Sequence, residues 1–310
     1  MAASEMIALL IVLLAASIVA GVQVLLVVDF AMEKLRGRPP GRWSRRLRVP
    51  WTILSVIGIG CLAWAHWVEP FRFDVTYHKI KTAALPEGSR LRILQLTDLH
   101  LEGEGPATEF ILRTVQQEKP DVIALTGDYF NADPQGREAF EKLMPQLHAS
   151  REICGVVGNF DGYDPSLACS KVVGLRSFAR SIGMNGKHVN FFGSDMVAAG
   201  NFAARLKSAP KADFTVVLYH TPEMIDTAAE LGADLYLCGH THGGQVRVPF
   251  YGAVVTLSDT GKKYEMGLYH VGTMAAYVSR GLGWEGNSVP RLRFLCPPEI
   301  AVFDVVGTGK

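Results

Sequence analysis

"RLRILQLTDLH", residues 90 to 100, begins as an alternating apolar strand and ends on an aspartate and a histidine. The same form returns four times, in "DVIALTGD" (121–128), "EICGVVGN" (152–159), "FTVVLYH" (214–220) and "DLYLCGH" (234–240). Short apolar runs of this kind, separated by helix-like segments such as Thr108 to Glu118 and Pro222 to Leu231, read as an α/β domain. In open α/β sheets ligands bind beyond the carboxyl ends of the strands, so five such ends can converge on one place.

What those ends carry is specific. "TDLH" supplies Asp98 and His100, and "GDYFN" supplies Asp128. "GNFDGY" brings Asn159, "LYHTPE" brings His220, and "GHTHGG" brings His240 and His242. An isolated D-x-H is more often a surface loop than a ligand pair, and a lone histidine after a strand is more often structural. Together they have the composition of a two-metal site: hard oxygens and imidazoles without thiolate. Asp-x-His and His-x-His each put two side chains on one side of an extended segment. A site of this kind clamps a phosphoryl group between metals about 3.5–4 Å apart.

Outward from these strands the composition excludes as much as it suggests. The chain has 310 residues, a formal net charge of +1 and 48% hydrophobic residues. A charge so near zero gives no electrostatic reason to expect nucleic acid as a partner. Five cysteines occur without a C-x-x-C pair, and Cys61, Cys154 and Cys238 read as buried thiols. The apolar residues concentrate at the start. Ile7 to Val28 is uncharged and about 22 residues long, and Trp51 to Val68 about 18, which suits two transmembrane helices. A cleaved signal peptide fits the first run poorly, since "MAASEM" has no Lys or Arg. Such long uncharged runs also speak against a buried core hairpin.

Between the runs lies a basic loop at 31–50, with Lys34, Arg36, Arg38, Arg42, Arg45, Arg46 and Arg48. The positive-inside rule places it in the cytoplasm, and the remainder of the chain outside, as a multi-pass protein of the cell membrane. Its cations also suit anionic membrane lipids. The chain therefore divides into a membrane anchor at 1–68, a connector at 69–90 that ends in the turn "PEGS", and a catalytic domain at 91–310. After Gln245 the pattern reads as further strands, including "AAYVSR", "RLRFL" and "EIAVFDV", while "KVVGLRSFARSIG" (171–183) reads as an amphipathic helix. "GLGWEG", Gly281 to Gly286, matches a dinucleotide-binding spacing but opens no helix, so a turn is the better account.

With its blocks D-x-H, G-D, G-N-x-D, H and G-H-x-H in order, the chain from Leu91 onward resembles the calcineurin-like metallophosphoesterase superfamily. "GHTHGGQVRVPFYG" and "YVSRGLG…RLRFLCPPEI" resemble its bacterial membrane-anchored branch. The resemblance implies a four-layer α/β/β/α sandwich and a metal-dependent hydrolase of phosphoric esters or diphosphates. It implies that Asp98, His100, Asp128 and His242 hold one metal and that Asp128, Asn159, His220 and His240 hold the other, with Asp128 shared. Manganese, iron and zinc all suit those ligands. Water activated between the metals would attack phosphorus in line. A phosphorylated small molecule or lipid is the implied substrate.

The departure lies in "GNFDGY". The family normally has a histidine where Phe160 stands, and Asp161, that histidine's usual orienting partner, remains. Another group could supply the proton, with His188, Tyr163 and His78 available by type. Alternatively, the leaving group needs none. A sugar or glycerol alkoxide profits from a general acid. A phosphate monoester leaving from a pyrophosphate, with its second pKa near about 6, does not. The UDP-2,3-diacylglucosamine pyrophosphatases of lipid A synthesis resemble this case, carrying Arg there, although their substrate is made on the cytoplasmic side. A non-catalytic metal-binding membrane scaffold and a nuclease of the same superfamily are the other functions weighed. The near-neutral charge disfavours the nuclease.

Overall fold

The computed structural model describes residues 3–37, 39, 41–131, 134–161, 173–175, 177–284 and 291–309. Two long helices, α1 (Ala3–Arg36) and α2 (Arg42–Trp67), precede strands β1 (Asp74–Thr82) and β2 (Arg90–Leu96). Then come α3 (Pro106–Glu118), β3 (Val122–Leu125), α4 (Pro134–Leu143) and β4 (Glu152–Val156). Strands β5 (Val173–Leu175), β6 (Phe178–Met184) and β7 (Lys187–Gly193) follow, then α5 (Phe202–Ser208), β8 (Phe214–Leu218), α6 (Ile225–Glu230) and β9 (Leu235–Cys238). The chain closes with a small hairpin, β10 (Arg247–Val248) and β11 (Gly252–Ala253), and with β12 (Gly267–Val271), β13 (Met274–Val278) and β14 (Glu299–Gly307).

Alternation along the strands explains the layers. In β2, Ile93 joins one apolar core while Leu94 and Leu96 join another, and in β9 Leu235 and Leu237 part from Tyr236 and Cys238. Both faces of each strand are therefore buried, as expected for sheets covered by helices. One sheet runs β1-β14-β2-β3-β4-β5 and the other β12-β13-β9-β8-β7-β6. Ile93, Ala124 and Val156 meet Val216, Leu218 and Leu237 between the sheets. Helices α3 and α4 cover the first sheet through Ile111, Val115, Phe140 and Leu143. Helices α5 and α6 cover the second through Phe202, Ile225 and Ala228. This is the α/β/β/α sandwich. Cys154 and Cys238 are buried core thiols as expected, whereas Cys61, on α2, is only partly buried.

Four local expectations change. The described residues of 171–183, which leave out 171, 172 and 176, hold β5 and all of β6 but Met184, and Asn185-Gly186, with φ of 50° and 79°, makes the two-residue turn that folds β6 onto β7. The connector at 69–90 contains β1, which pairs in parallel with β14 from Asp74↔Glu299 to Thr82↔Gly307 and so extends the first sheet. "RLRFL" is not a strand: only Phe294 makes an isolated bridge, with Val246, and Leu295 has φ of 55°. Most of the basic stretch at 31–50 is helical, because Arg48 reaches from α2 to Glu33 and Asp29 of α1 and lets the hairpin close over a short turn.

The antiparallel helices pack through Trp51 Nε1 on the Val19 carbonyl and Ser55 on Gln23. Their far ends meet the sandwich. Glu5 is buried and accepts from the Thr256 amide, while the Ala65 carbonyl accepts from the Arg293 amide.

Candidate metal centre

The residues at the five strand ends do meet. Asp98, His100 and His242 bring one ligating atom each within 4.8 Å of one another, and so do Asp128, His220 and His240. The groups touch through Asp128, whose Oδ2 lies 3.2 Å from His220 Nε2 and 3.7 Å from His100 Nε2. Asn159 Oδ1 lies 3.0 Å from His220 Nε2. His240 and His242, neighbours in one motif, divide between the groups.

The strand ends do not run on extended, as the Asp-x-His and His-x-His spacing suggested. Asp98, His100, Asp128, His240 and His242 have φ of 47°, 40°, 54°, 71° and 50°. Left-handed backbone disfavours residues with a Cβ, although Asp and His tolerate it better than most. Strands β2, β3 and β9 thus each stop in a sharp reversal that turns their side chains inward.

Hydrogen bonds hold Nδ1 of His220 and of His100 away from the centre and turn Nε2 toward it. His220 Nδ1 lies 2.8 Å from the Thr126 carbonyl, which can only accept, so Nδ1 donates there and Nε2 is the nitrogen turned to the centre. His100 Nδ1 lies 2.8 Å from Asn131 Oδ1, and the Asn131 amide is oriented by donating Nδ2 to Glu102. His100 Nε2 and His242 Nε2 then face each other at 3.2 Å, with Asp98 Oδ1 3.5 Å from the latter. Imidazole nitrogens with carboxylate and amide oxygens, and no thiolate, line the centre, so the donor set fits divalent metals.

Electrostatics differ from ring to ring: burial opposes charge on His220, but Asp128 and Asp98 outweigh it and raise its pKa to about 10, so a metal there displaces a proton. Burial lowers the pKa of His242 well below its ordinary value, and the neighbouring His100 and Arg293 lower it further. Burial likewise lowers His100. Both rings are therefore neutral, the form a metal requires. For Asp128 burial acts against the charge, but His220 and further donors outweigh it and bring the carboxyl down to about 2.

Asp161 accounts for its own retention without an imidazole to orient. Its buried carboxylate accepts from the amides of Asp128 (2.8 Å), Tyr129 (2.7 Å) and Gly158 (2.7 Å), binding the third and fourth strand ends together. The Phe160 amide donates to Asp128 Oδ1 at 2.8 Å, and its ring packs edge-on against His100 with centroids 4.9 Å apart. This position serves the site through its backbone and covers it with an apolar face.

Of the possible proton donors, His78 pairs with Phe303, opposite Ile93 in the interior of the first sheet, and packs its ring against Tyr277 and Phe303. His188 is exposed near the start of β7, at the far end of the second sheet from His220. Neither reaches the centre, and Tyr163 lies outside the described residues. Asn131 went unread, although it ends the motif "GDYFN", and so did the Thr126 carbonyl and Arg293. Arg293 Nη2 lies 3.4 Å from His242 Nδ1. Gly281 and Gly283 let the tail lie against the Asp98–His100 turn, where the amides of Leu282 and Gly283 donate to the Asp98 carbonyl at 3.1 and 2.7 Å. The first three residues of the glycine-spaced "GLGWEG" are thus a contact with the centre, Trp284 packs edge-on against Phe71, and Glu285 and Gly286 lie outside the described residues.

Comparison with known proteins agrees with this geometry. Residues 91–244 match the model of the calcineurin-like phosphoesterases. An uncharacterised metallophosphoesterase of Bacillus subtilis, YkuE, is 31% identical over 265 residues, covering 81% of this chain and 91% of the relative. The chain belongs to the calcineurin-like phosphoesterase family. Phosphodiesterase YaeI of Escherichia coli is 28% identical, over 85% of this chain and 99% of its own length. The UDP-2,3-diacylglucosamine pyrophosphatase LpxG of Chlamydia trachomatis is 24% identical, over 77% and 91%. The chain is accordingly a metal-dependent phosphoesterase, and two helices at its start are long and apolar enough to cross a membrane.

Proposed function

We propose that this chain is a membrane-anchored two-metal phosphoesterase that hydrolyses a phosphodiester or pyrophosphate bond of a lipid-linked or cell-envelope substrate. The observation that carries the reading is Asp128, whose one oxygen faces His100 Nε2 at 3.7 Å and His220 Nε2 at 3.2 Å. Asp98, His100, Asp128 and His242 hold one cation, and Asp128, Asn159, His220 and His240 hold the other. Two divalent cations, when bound, stabilise charge on the phosphoryl oxygens and acidify water. The chain's own groups prepare that chemistry. Thr126 and Asn131 orient the rings of His220 and His100, the Phe160 amide and Asp161 fix the Asp128 turn, and exposed Asn159 borders the approach.

Helices α1 and α2 anchor the chain, with the basic stretch cytoplasmic and the sandwich extracytoplasmic. The ends of both helices away from that stretch meet the sandwich, at Thr256 and Arg293, which supports one side for both. An apolar Phe160 beside His100 suits a leaving group that departs without a proton donor. That feature, together with the likeness to LpxG, favours a UDP-2,3-diacylglucosamine pyrophosphatase as the second reading, with the domain then cytoplasmic.

The test is hydrolysis by purified full-length protein, with manganese, iron or zinc, of aryl diesters, alkyl diesters, monoesters and nucleoside-diphosphate lipids. Aryl diesters and pyrophosphates should turn over and alkyl diesters lag. Equal rates on alkyl and aryl esters would contradict the leaving-group argument, and absence of all hydrolysis would leave a metal-binding scaffold. Alkaline phosphatase fused after Lys310 should be active in a bacterial host. An inactive fusion would reverse the orientation and favour the second reading.

A further inference from the structure

Arg293 is the largest fully buried side chain among the described residues, and it lies outside the residues matched to the family. A buried guanidinium is costly unless its donors are met. Here carbonyl oxygens meet them: Nη2 donates to Arg280 at 2.8 Å and also to Gly283, Nη1 to Cys296 at 3.1 Å, and Nε to Gly283 at 3.2 Å. Those carbonyls belong to two stretches of the tail, 280–283 and 293–296. The first stretch supplies the Leu282 and Gly283 amides that hold the Asp98 carbonyl, and the second supplies the Cys296 thiol that donates to the His242 carbonyl at 3.1 Å. A fork of five donors can knit these stretches at once, whereas an ammonium cannot.

The same stretch is fastened to the end of α2. The Arg293 amide donates to the Ala65 carbonyl at 2.9 Å, and the Arg291 carbonyl lies 3.0 Å from His66 Nδ1. Glu69, buried just past the helix, accepts from the Cys296 amide with one oxygen and from Trp64 Nε1 at 2.8 Å with the other. A continuous chain of hydrogen bonds thus runs from α2 through Arg293 to both Asp98 and His242.

We propose that Arg293 is a positioning residue for the Asp98–His100–His242 half of the metal centre, and that the docked end of α2 helps to hold it there. The membrane-anchoring helix is then part of the metal centre's support as well as a tether. This rests on the reading of those three residues as metal ligands.

The test is metal titration of EDTA-treated full-length protein by calorimetry, with metal content after dialysis. Wild type should bind two ions per chain. Arg293→Met should weaken one of them by about 10- to 100-fold, the range for lost outer partners of a metal ligand, and spare the other. Glu69→Ala should act in the same direction, and Arg293→Lys, which keeps the charge but not the fork, should recover only part. The effect is localised by pairing: Arg293→Met added to His242→Ala should cause no further loss, but added to His220→Ala it should weaken the remaining ion by the same factor. If both ions bind Arg293→Met and Glu69→Ala as tightly as wild type, the proposal is wrong. Losses that add equally to His242→Ala and His220→Ala would show general destabilisation and overturn it too. Should wild type itself bind no metal, the reading beneath it fails first.

Discussion

Asp98, His100 and His242 are each at most 3% exposed, whereas in the second group Asn159 is exposed and His240 half-buried. The first group leans on the chain's tail, through the Leu282 and Gly283 amides, Cys296 and Arg293. The second leans on the sandwich itself, through the Thr126 carbonyl and the Asp161 carboxylate. The difference teaches that one half of the centre is an interior structural element and the other is the open half, where a substrate phosphate can arrive. In the proposed reading Asp128 belongs to both, so the halves should respond alike to its loss and unlike to most other changes.

Asp128→Asn carries the largest expected effect. It removes charge from both halves, and steady-state hydrolysis of an aryl diester should fall by about 10³-fold or more, with metal content reduced in both. A loss confined to one ion would mean that Asp128 is not shared. Next in size is Phe160→His, which replaces the apolar cover of His100 with a group able to give a proton. Alkyl diesters should gain, by up to about 10²-fold, while pyrophosphate cleavage changes little. Unchanged alkyl rates, measured beside wild type, would show that some other group already supplies the proton.

Asn131→Ala should sharpen the contrast between halves. It frees His100 Nδ1 but touches nothing in the second group, so affinity for one ion should fall about 10-fold while the other holds. Equal weakening of both would show that the halves are not separate. The smallest effect lies away from the centre. Burial opposes the charge of Asp304, but hydrogen bonds from Arg92 and Arg90 outweigh it and lower its carboxyl to about 2. A carboxyl lowered on folding stabilises above its unfolded value near about 3.9 and loses that contribution as pH falls toward 2. Arg90 is half-exposed, so Asp304→Asn should cost only about 0.5–1 kcal/mol at pH 7 in urea unfolding, and progressively less as pH falls through 2. Activity should not change.

The sequence made the sheets and the strand-end residues legible for one reason: strands covered on both faces are short, apolar and punctuated at their ends by polar residues. Leu94 to His100 and Val122 to Asp128 announce themselves in this way. The support of the centre did not, because it depends on backbone groups and on distant segments. Nothing near residue 293 signals that an arginine in "RLRFL" will lie beside His242, and its apparent alternation instead suggested a strand. Asp161 looked orphaned because its partners are amides, which every residue carries. Residues 171–183 misled differently: the apolar spacing was read as helical while the decisive pair, Asn185-Gly186, stood just beyond.

The most direct test of the central claim is anomalous diffraction from crystals of the full-length protein grown with manganese. Two peaks about 3.5–4 Å apart are expected, one among Asp98, His100, Asp128 and His242, the other among Asp128, Asn159, His220 and His240. A single peak, or peaks that do not share Asp128, would contradict the account.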